Sequence, residues 1–230
     1  MNAPGIDWAA IALTLRLAGT TTLVLTALGL PLAWWLAQTR RRWWKVPVEA
    51  CVALPIVLPP TVLGFYVLMA IGPHSPVGRW YETITDNTLP FSFAGLLAAS
   101  VLYSLPFAVQ PFAAAFAGVD RRLLEASWTL GAGSAETFRR VALPVAWPGV
   151  LTGLVLSFAH TVGEFGVVLM IGGNLPGRTR TVSVAIYDHV QAMEYAAANR
   201  TALLLLVFSF LVLGTTYALQ RRFVASHPGR

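Results

Sequence analysis

The sequence predicts an all-α fold: an integral membrane helical bundle with five transmembrane helices. Three observations carry that prediction. Hydrophobic residues fill 56% of the 230 positions and charged residues only 11%, less than half the charge of about 25% that a soluble domain carries. The apolar residues fall in long, repeated runs, and a bilayer core of about 30 Å is crossed by roughly 20 residues. The basic residues, which leave a net charge of +6, cluster at the ends of those runs, where orientation signals belong. That placement speaks for a lipid bilayer and against nucleic acid as the partner of the charge. One membrane domain, residues 8–220, accounts for the length, with spans at about 8–37, 46–71, 91–117, 145–171 and 196–219.

The first span is apolar apart from Arg16 and a few threonines. It ends in QTRRRWWK, where Arg40, Arg41, Arg42 and Lys45 form the densest basic cluster. Trp34, Trp35, Trp43 and Trp44 beside it suit the membrane–water interface. Ahead of the span, MNAPGIDWAA carries no basic residue, so it does not read as a cleaved signal peptide.

The second span contains ALPIVLPPTVLGF, with Pro55, Pro59, Pro60 and Gly64. Proline inside a helix removes a hydrogen bond and bends the axis. In a membrane this is tolerated where neighbours or a water-lined cavity satisfy the freed carbonyls. A kinked packing helix and a bent helix lining a pathway both fit. Glu49 reads as an interfacial partner for a nearby Arg or Lys, and Cys51, the one cysteine, as a small apolar filler. A single cysteine allows neither a disulfide framework nor a zinc site within one chain.

A polar loop at about 72–90 leads to the third span, which carries Ser104, Pro106 and Pro111. The fourth span holds His160 and Glu164, one helical turn apart and so on one face. A carboxylate at that depth is expensive and is a functional-site candidate by default. It reads as a polar contact in a pathway or at an interface, or as a buried hydrogen-bonded group that fixes helix packing. Gly163 and Gly166 beside it permit close helix approach. After the fourth span, GGNLPGRTRT leads into an amphipathic piece at about 182–193. Arg178 and Arg180 there either steer an anion by their field or belong to a solvated loop. The fifth span ends in QRRF.

Eleven of the 16 Lys and Arg residues flank one side of these spans: Arg40, Arg41, Arg42, Lys45, Arg121, Arg122, Arg139, Arg140, Arg221, Arg222 and Arg230. Four flank the other: Arg79, Arg178, Arg180 and Arg200. The positive-inside bias places the C-terminus and the loop at 120–144 in the cytoplasm and the N-terminus outside. No internal inverted repeat is visible, which weakens the common secondary-transporter designs.

Enzyme chemistry has little to stand on. Lys45, the only lysine, has no glycine-rich turn before it, so the chain has no P-loop. His74, His160, His189 and His227 are scattered, without metal-ligand spacing, and no GxSxG elbow is present.

The polar island Asp120–Pro144, DRRLLEASWTLGAGSAETFRRVALP, has a different character. Asp120 is a plausible N-cap, and Leu123, Leu124, Ser127 and Trp128 share a helical face. Gly131 and Gly133 break that helix. Ser134 caps a second one, which Pro144 stops before the fourth span. Two short surface helices joined by a glycine turn are expected.

Glu125-Ala126-Ser127, three residues, Gly131, nine residues and Val141-Ala142-Leu143-Pro144 resemble the EAA motif of ABC-importer permeases. Every spacing is met, with Ser127 for the second alanine and Val141 for isoleucine. In that family the loop docks into a groove on a cytoplasmic ATPase. The resemblance implies a coupling role for Glu125, Ala126, Ser127, Gly131, Leu143 and Pro144. LPIVLPPTVLGF, SLPFAV, GVD, TLGAG, GEFG and NLPGRTRT extend the likeness over nearly the whole chain and resemble molybdate permease subunits. The related sulfate and tungstate permeases share GEFG and the EAA loop.

The resemblance implies a type I ABC importer transmembrane domain in the bacterial inner membrane. It implies a homodimer with two ATPase subunits, which use ATP and Mg, and a periplasmic molybdate-binding protein. No cofactor bound by this chain is implied. An oxyanion path suits hydroxyls, backbone amides and helix N-termini, so Thr61, Ser104 and Ser157 are candidate lining groups beside Pro59 and Pro60. Glu164 is awkward in an anion path and is expected at a helix interface, hydrogen-bonded or protonated.

Overall fold

The computed structural model describes residues 6–39 and 41–225. Arg40, His227 and Arg230, named above, lie outside the described residues. Helix α1 (Trp8–Gln38) packs along α5 (Phe93–Ala117), and α8 (Leu143–Gly163) closes the third side of this bundle. α1 buries Leu17, Thr21, Leu25, Gly29, Ala33 and Leu36, a stripe at the three- and four-residue spacing of one helical face. Except for the buried Thr21, whose hydroxyl has no partner among the described residues, its threonines bond backward within the helix, as Thr14 and Thr22 do to the carbonyls of Ala10 and Ala18 at 2.8 Å. That satisfies hydroxyls where no water reaches.

Small residues set the closeness of α5 and α8. A Cβ at Gly153 would stand 2.5 Å from a Phe112 ring carbon, and one at Gly149 would stand 2.5 Å from the Ala115 Cβ. Without a hydrophobic force between helices in lipid, such close packing is what holds a bundle together. Phe112 and Phe116 are fully buried there.

The second apolar segment is not one continuous helix. It forms α2 (Arg42–Val57) and α3 (Pro60–Ile71), and the axis turns by 116° between them. Adjacent prolines at Pro59 and Pro60 explain the break: Pro60 restricts Pro59 to an extended conformation, and its own ring suits the first position of a new helix. The fourth segment also breaks, at Glu164 and Phe165, before α9 (Gly166–Gly172). Among the described residues, four helices are therefore long and apolar enough to cross a membrane, or five spans result if α2 and α3 count as one. The last of them is α11 (Tyr195–Ala225), and α4 (Pro76–Thr85) and α10 (Val182–Gln191) lie in the connections.

Two expectations need correction. Cys51 is exposed rather than a core filler. Pro144 does not stop a helix. Residues Ser134–Gly163 run as one 30-residue helix, in which α7 (Ser134–Thr137) passes through a π-helical turn, Phe138–Ala142, into α8. Pro144 sits in the first turn of α8, and the wider turn ahead of it absorbs the missing amide.

Candidate functional site

Two places bring the sequence candidates together. The first is the loop between α5 and α8. Asp120 caps α6 (Arg121–Thr129), accepting from the Arg122 amide at 2.9 Å. Leu124 is the buried anchor of that helix and joins the core beside Phe116 and Ala142. The rings of Trp34, Phe116 and Phe138 meet with centroids 5.5 Å apart and tie the loop to the end of the bundle. Gly131, at φ +86°, turns the chain through a left-handed conformation that glycine adopts without strain. The Ala132 amide closes this turn on the Ser127 carbonyl at 3.1 Å. Gly133, not Ser134, takes the cap position of the second helix.

The hydroxyls of Ser127 and Thr137 are 3.0 Å apart and join the two halves of the loop. Glu125, paired to Arg121 at 2.7 Å, stays more than half exposed. Ala126, Leu130 and Gly131 are exposed with it, while Leu143 is half-buried and Pro144 exposed. Leu130 is 88% exposed, which is unusual for a leucine in an ordered turn and marks a face without a partner within this chain. Beside it a hollow of about 300 Å³ is lined by Ser127, Leu130, Gly131, Glu136 and Arg140.

The second place is where the two helix breaks meet. A cavity of about 580 Å³ lies there, walled by Pro60, Thr61, Tyr103, His160, Glu164 and Gly166 among others. α3 and α9 pack side by side because their contact positions are glycines: Gly64 faces Met170, and Gly166 faces Pro60. Pro59 and Thr61 are exposed, and Pro60 is partly covered. Glu164 is 4% exposed. Its Oε2 accepts from the Ser100 hydroxyl at 2.8 Å, while its Oε1 is buried with no hydrogen-bond partner among the described residues.

Ser104 and Ser157 lie elsewhere. Both are fully buried in the seam between α5 and α8. Ser104 bonds His160 Nδ1 and the Thr161 hydroxyl, each at 2.9 Å, and Ser157 bonds back to the Leu154 carbonyl. They pack the helix pair and do not line the cavity. His160 and Glu164 share the cavity wall as their spacing predicts, but each bonds to a serine of α5 and not to the other.

Ser100 and Tyr103 escaped the sequence reading. A signal was present: hydroxyls at Ser100 and Ser104, one turn apart on α5, match Ser157 and Thr161 on α8 and Glu164 at its C-terminal end.

The loop with the two arginines is a clamp. Arg180 bonds Asn174 at 2.5 Å and pairs with Asp188 at 3.3 Å and Asp7 at 3.8 Å. Its charge is largely answered by two carboxylates, which leaves Arg178 as the loop's outward cation. The buried Thr179 hydroxyl bonds the Gly172 carbonyl at 2.6 Å. The Val182 amide bonds the Thr14 hydroxyl of α1 at 2.9 Å, so the loop ties α1, α9 and α10 together.

Known proteins share this sequence and this architecture. The molybdenum transport system permease protein ModB of Azotobacter vinelandii is 58% identical over 219 residues, covering 95% of this chain and 96% of that one. A probable sulfate transport system permease protein, cysT, of Chlorella vulgaris is 34% identical over 89% of this chain and 77% of its own. Among solved structures, the MetNI methionine ABC transporter in an inward-facing conformation matches with a TM-score of 0.74 at 19% identity, over 96% of this chain and 99% of that one. That likeness shows the fold, a type I ABC importer transmembrane domain. Residues 29–225 match the model of the binding-protein-dependent transport system inner membrane component, and the chain belongs to that family.

Proposed function

We propose that this chain is the permease subunit of an ATP-driven importer that carries molybdate across the cytoplasmic membrane. The carrying observation is the 58% identity to a molybdenum permease over nearly the full length of both chains. The chain is a multi-pass protein of the inner membrane. Two copies form the pathway between them. Two ATPase subunits bind ATP and Mg below, and a periplasmic binding protein delivers the anion from above. The chain itself binds no nucleotide. Glu125, Ala126, Ser127, Gly131, Leu143 and Pro144 form the coupling surface, and the exposed Leu130 beside Gly131 supports a docking face there. Pro59, Pro60, Thr61 and Glu164 belong to the pathway at the two helix breaks, in keeping with transport proteins that place their sites at discontinuous helices.

Sulfate is the second reading, favoured by the 34% identical sulfate permease relative; tungstate shares the same charge and shape. A stand-alone secondary transporter would have no use for the loop at 120–144. The deciding experiment is uptake of labelled molybdate in a strain lacking this gene and complemented with it, competed with tungstate and with sulfate. Loss of uptake on deletion, restored by the chain and competed least by sulfate, supports molybdate. Uptake that sulfate suppresses at the lowest concentration overturns it.

A further inference from the structure

α2 lies on the outside of the bundle. It buries only Val52 and Pro55 and turns Val46, Leu54, Ile56 and Val57 outward, each at least half exposed. Exposed apolar surface of this kind faces lipid or another protein. Between α2 and the ends of α1 and α5 lies a hollow of about 400 Å³. Leu36, Val52 and Ala113 give it apolar walls, and Lys45, Glu49 and Gln110 add polar groups. From Lys45 to Val52 it runs about 10 Å along α2 at 1.5 Å per residue. A second hollow of about 410 Å³ opens beside Arg42, Trp43, Val46 and Pro47. This is the end of the bundle that carries the loop at 120–144, since Leu36 and Val52 share one core with Leu124.

The start of α2 is strongly basic. Arg41, Arg42 and Lys45 fall within five residues, and Arg40 adjoins them in the sequence. Lys45 meets Glu49 at 3.8 Å with both side chains partly exposed, a contact too weak to hold the lysine. Arg41 and Arg42 are exposed and form no ion pair among the described residues. Trp43 and Trp44 are 90% and 67% exposed, and indoles so placed at a helix end belong at the membrane–water interface.

Clustered cations above an apolar slot, with indoles at the same level, match an anionic headgroup that carries acyl chains. A second copy of this chain fits the spot poorly. An isologous contact presents the same patch from both sides, which would set this cluster against itself, and like charges face to face are costly. We propose that the groove between α1, α2 and α5 is a binding site for an anionic phospholipid. The phosphate sits on Arg41, Arg42 and Lys45, and one acyl chain fills the hollow. Gln110, exposed on α5 within the span, gives an ester carbonyl of the lipid a donor. The site stands whichever anion the protein carries.

The test uses the purified full-length chain in its complex, in mild detergent, followed by native mass spectrometry. Phosphatidylglycerol and phosphatidylcholine with the same acyl chains are added in equal amounts. The native protein is expected to retain phosphatidylglycerol at least fivefold over phosphatidylcholine. Arg41→Gln with Arg42→Gln is expected to bring that preference within twofold. Arg122→Gln with Arg139→Gln, which removes the same charge elsewhere at this end, is expected to leave it unchanged. Ala114→Leu, on the exposed wall of the hollow, is expected to cut bound phosphatidylglycerol at least threefold. Glycerol phosphate, which has the headgroup charge without the chains, is expected not to displace the lipid. No preference in the native protein overturns the site whatever the variants do. An equal loss in the two arginine pairs, or displacement by glycerol phosphate, assigns the binding to surface charge alone and overturns it too. Bound lipid unchanged in Ala114→Leu shows that the hollow takes no acyl chain, and the proposal fails; an altered number of copies in that complex would then give the hollow to a second copy.

Discussion

Gly166 packs against Pro60 so closely that a Cβ on the glycine would stand 2.8 Å from the Pro60 Cβ. This contact joins the two helix breaks. The neighbour is a ring fixed to the backbone, so it has little room to yield. Gly166→Ala is expected to destabilise the protein by about 1–3 kcal/mol, the range for overpacking a tight site, and to lower uptake. Thermal melting of the purified transporter checks this; a variant that melts with the native protein would show that α3 and α9 can part without cost.

In the loop proposed for coupling, Glu125→Ala removes an exposed ion pair with Arg121, worth at most about 1 kcal/mol of stability. Transport is expected to fall at least tenfold all the same, with the permease inserted normally. Co-purification of the ATPase together with uptake separates these effects. Normal values of both would refute the coupling assignment.

Gly131→Ala tests the same loop through the backbone. A side chain at φ +86° costs about 1–2 kcal/mol, and a Cβ there meets nothing within 4 Å. The loss is therefore conformational and confined to the turn. ATPase activity stimulated by the binding protein is expected to drop, while the melting temperature of the membrane bundle stays near native. A large fall in melting temperature would mean that the turn supports the bundle itself.

Arg180→Ala opens the clamp of the loop at 174–181. It leaves Asp7, Asp188 and Asn174 without their shared partner. At a side chain 23% exposed, a loss of about 1–2 kcal/mol is expected, toward the upper end for partly shielded charge-assisted bonds. Arg178→Ala, by contrast, is expected to leave stability unchanged. Equal melting of the two variants would contradict the clamp.

Ser104→Ala separates packing from lining. The substitution removes hydroxyl bonds to His160 and Thr161, and a cost of about 1–3 kcal/mol is expected from the partners left unsatisfied in the seam. The relative uptake of molybdate, tungstate and sulfate is expected to stay the same. A changed anion preference would return Ser104 to the pathway.

The helices themselves are legible in the sequence because hydropathy and charge act locally. Asp120 caps α6 and Lys45 meets Glu49 at 3.8 Å, both as near-neighbour rules predict. What escapes is geometry that depends on distant neighbours. The Pro59-Pro60 pair announces a bend, but not that the chain turns by 116°, since that angle is set by α9 packing on α3. Pro144 carries the usual signal of a helix end, and a five-residue π turn overrides it. Hydroxyl-bearing residues at Ser104, Ser157 and Thr61 look alike in sequence. Only the burial of the first two between α5 and α8 tells them from the third.

The π turn at Phe138–Ala142 has a mechanical meaning. Because it joins α7 to α8 without a hinge, residues 134–163 form a rod about 45 Å long at 1.5 Å per residue. One end carries the loop at the membrane surface, and the other stops at Glu164, where the helix breaks. A push or twist delivered at Ser134 is not dissipated in a flexible linker on the way. It arrives at the joint beside Thr61, so in the importer reading proposed above the surface loop and the helix break are two ends of one lever.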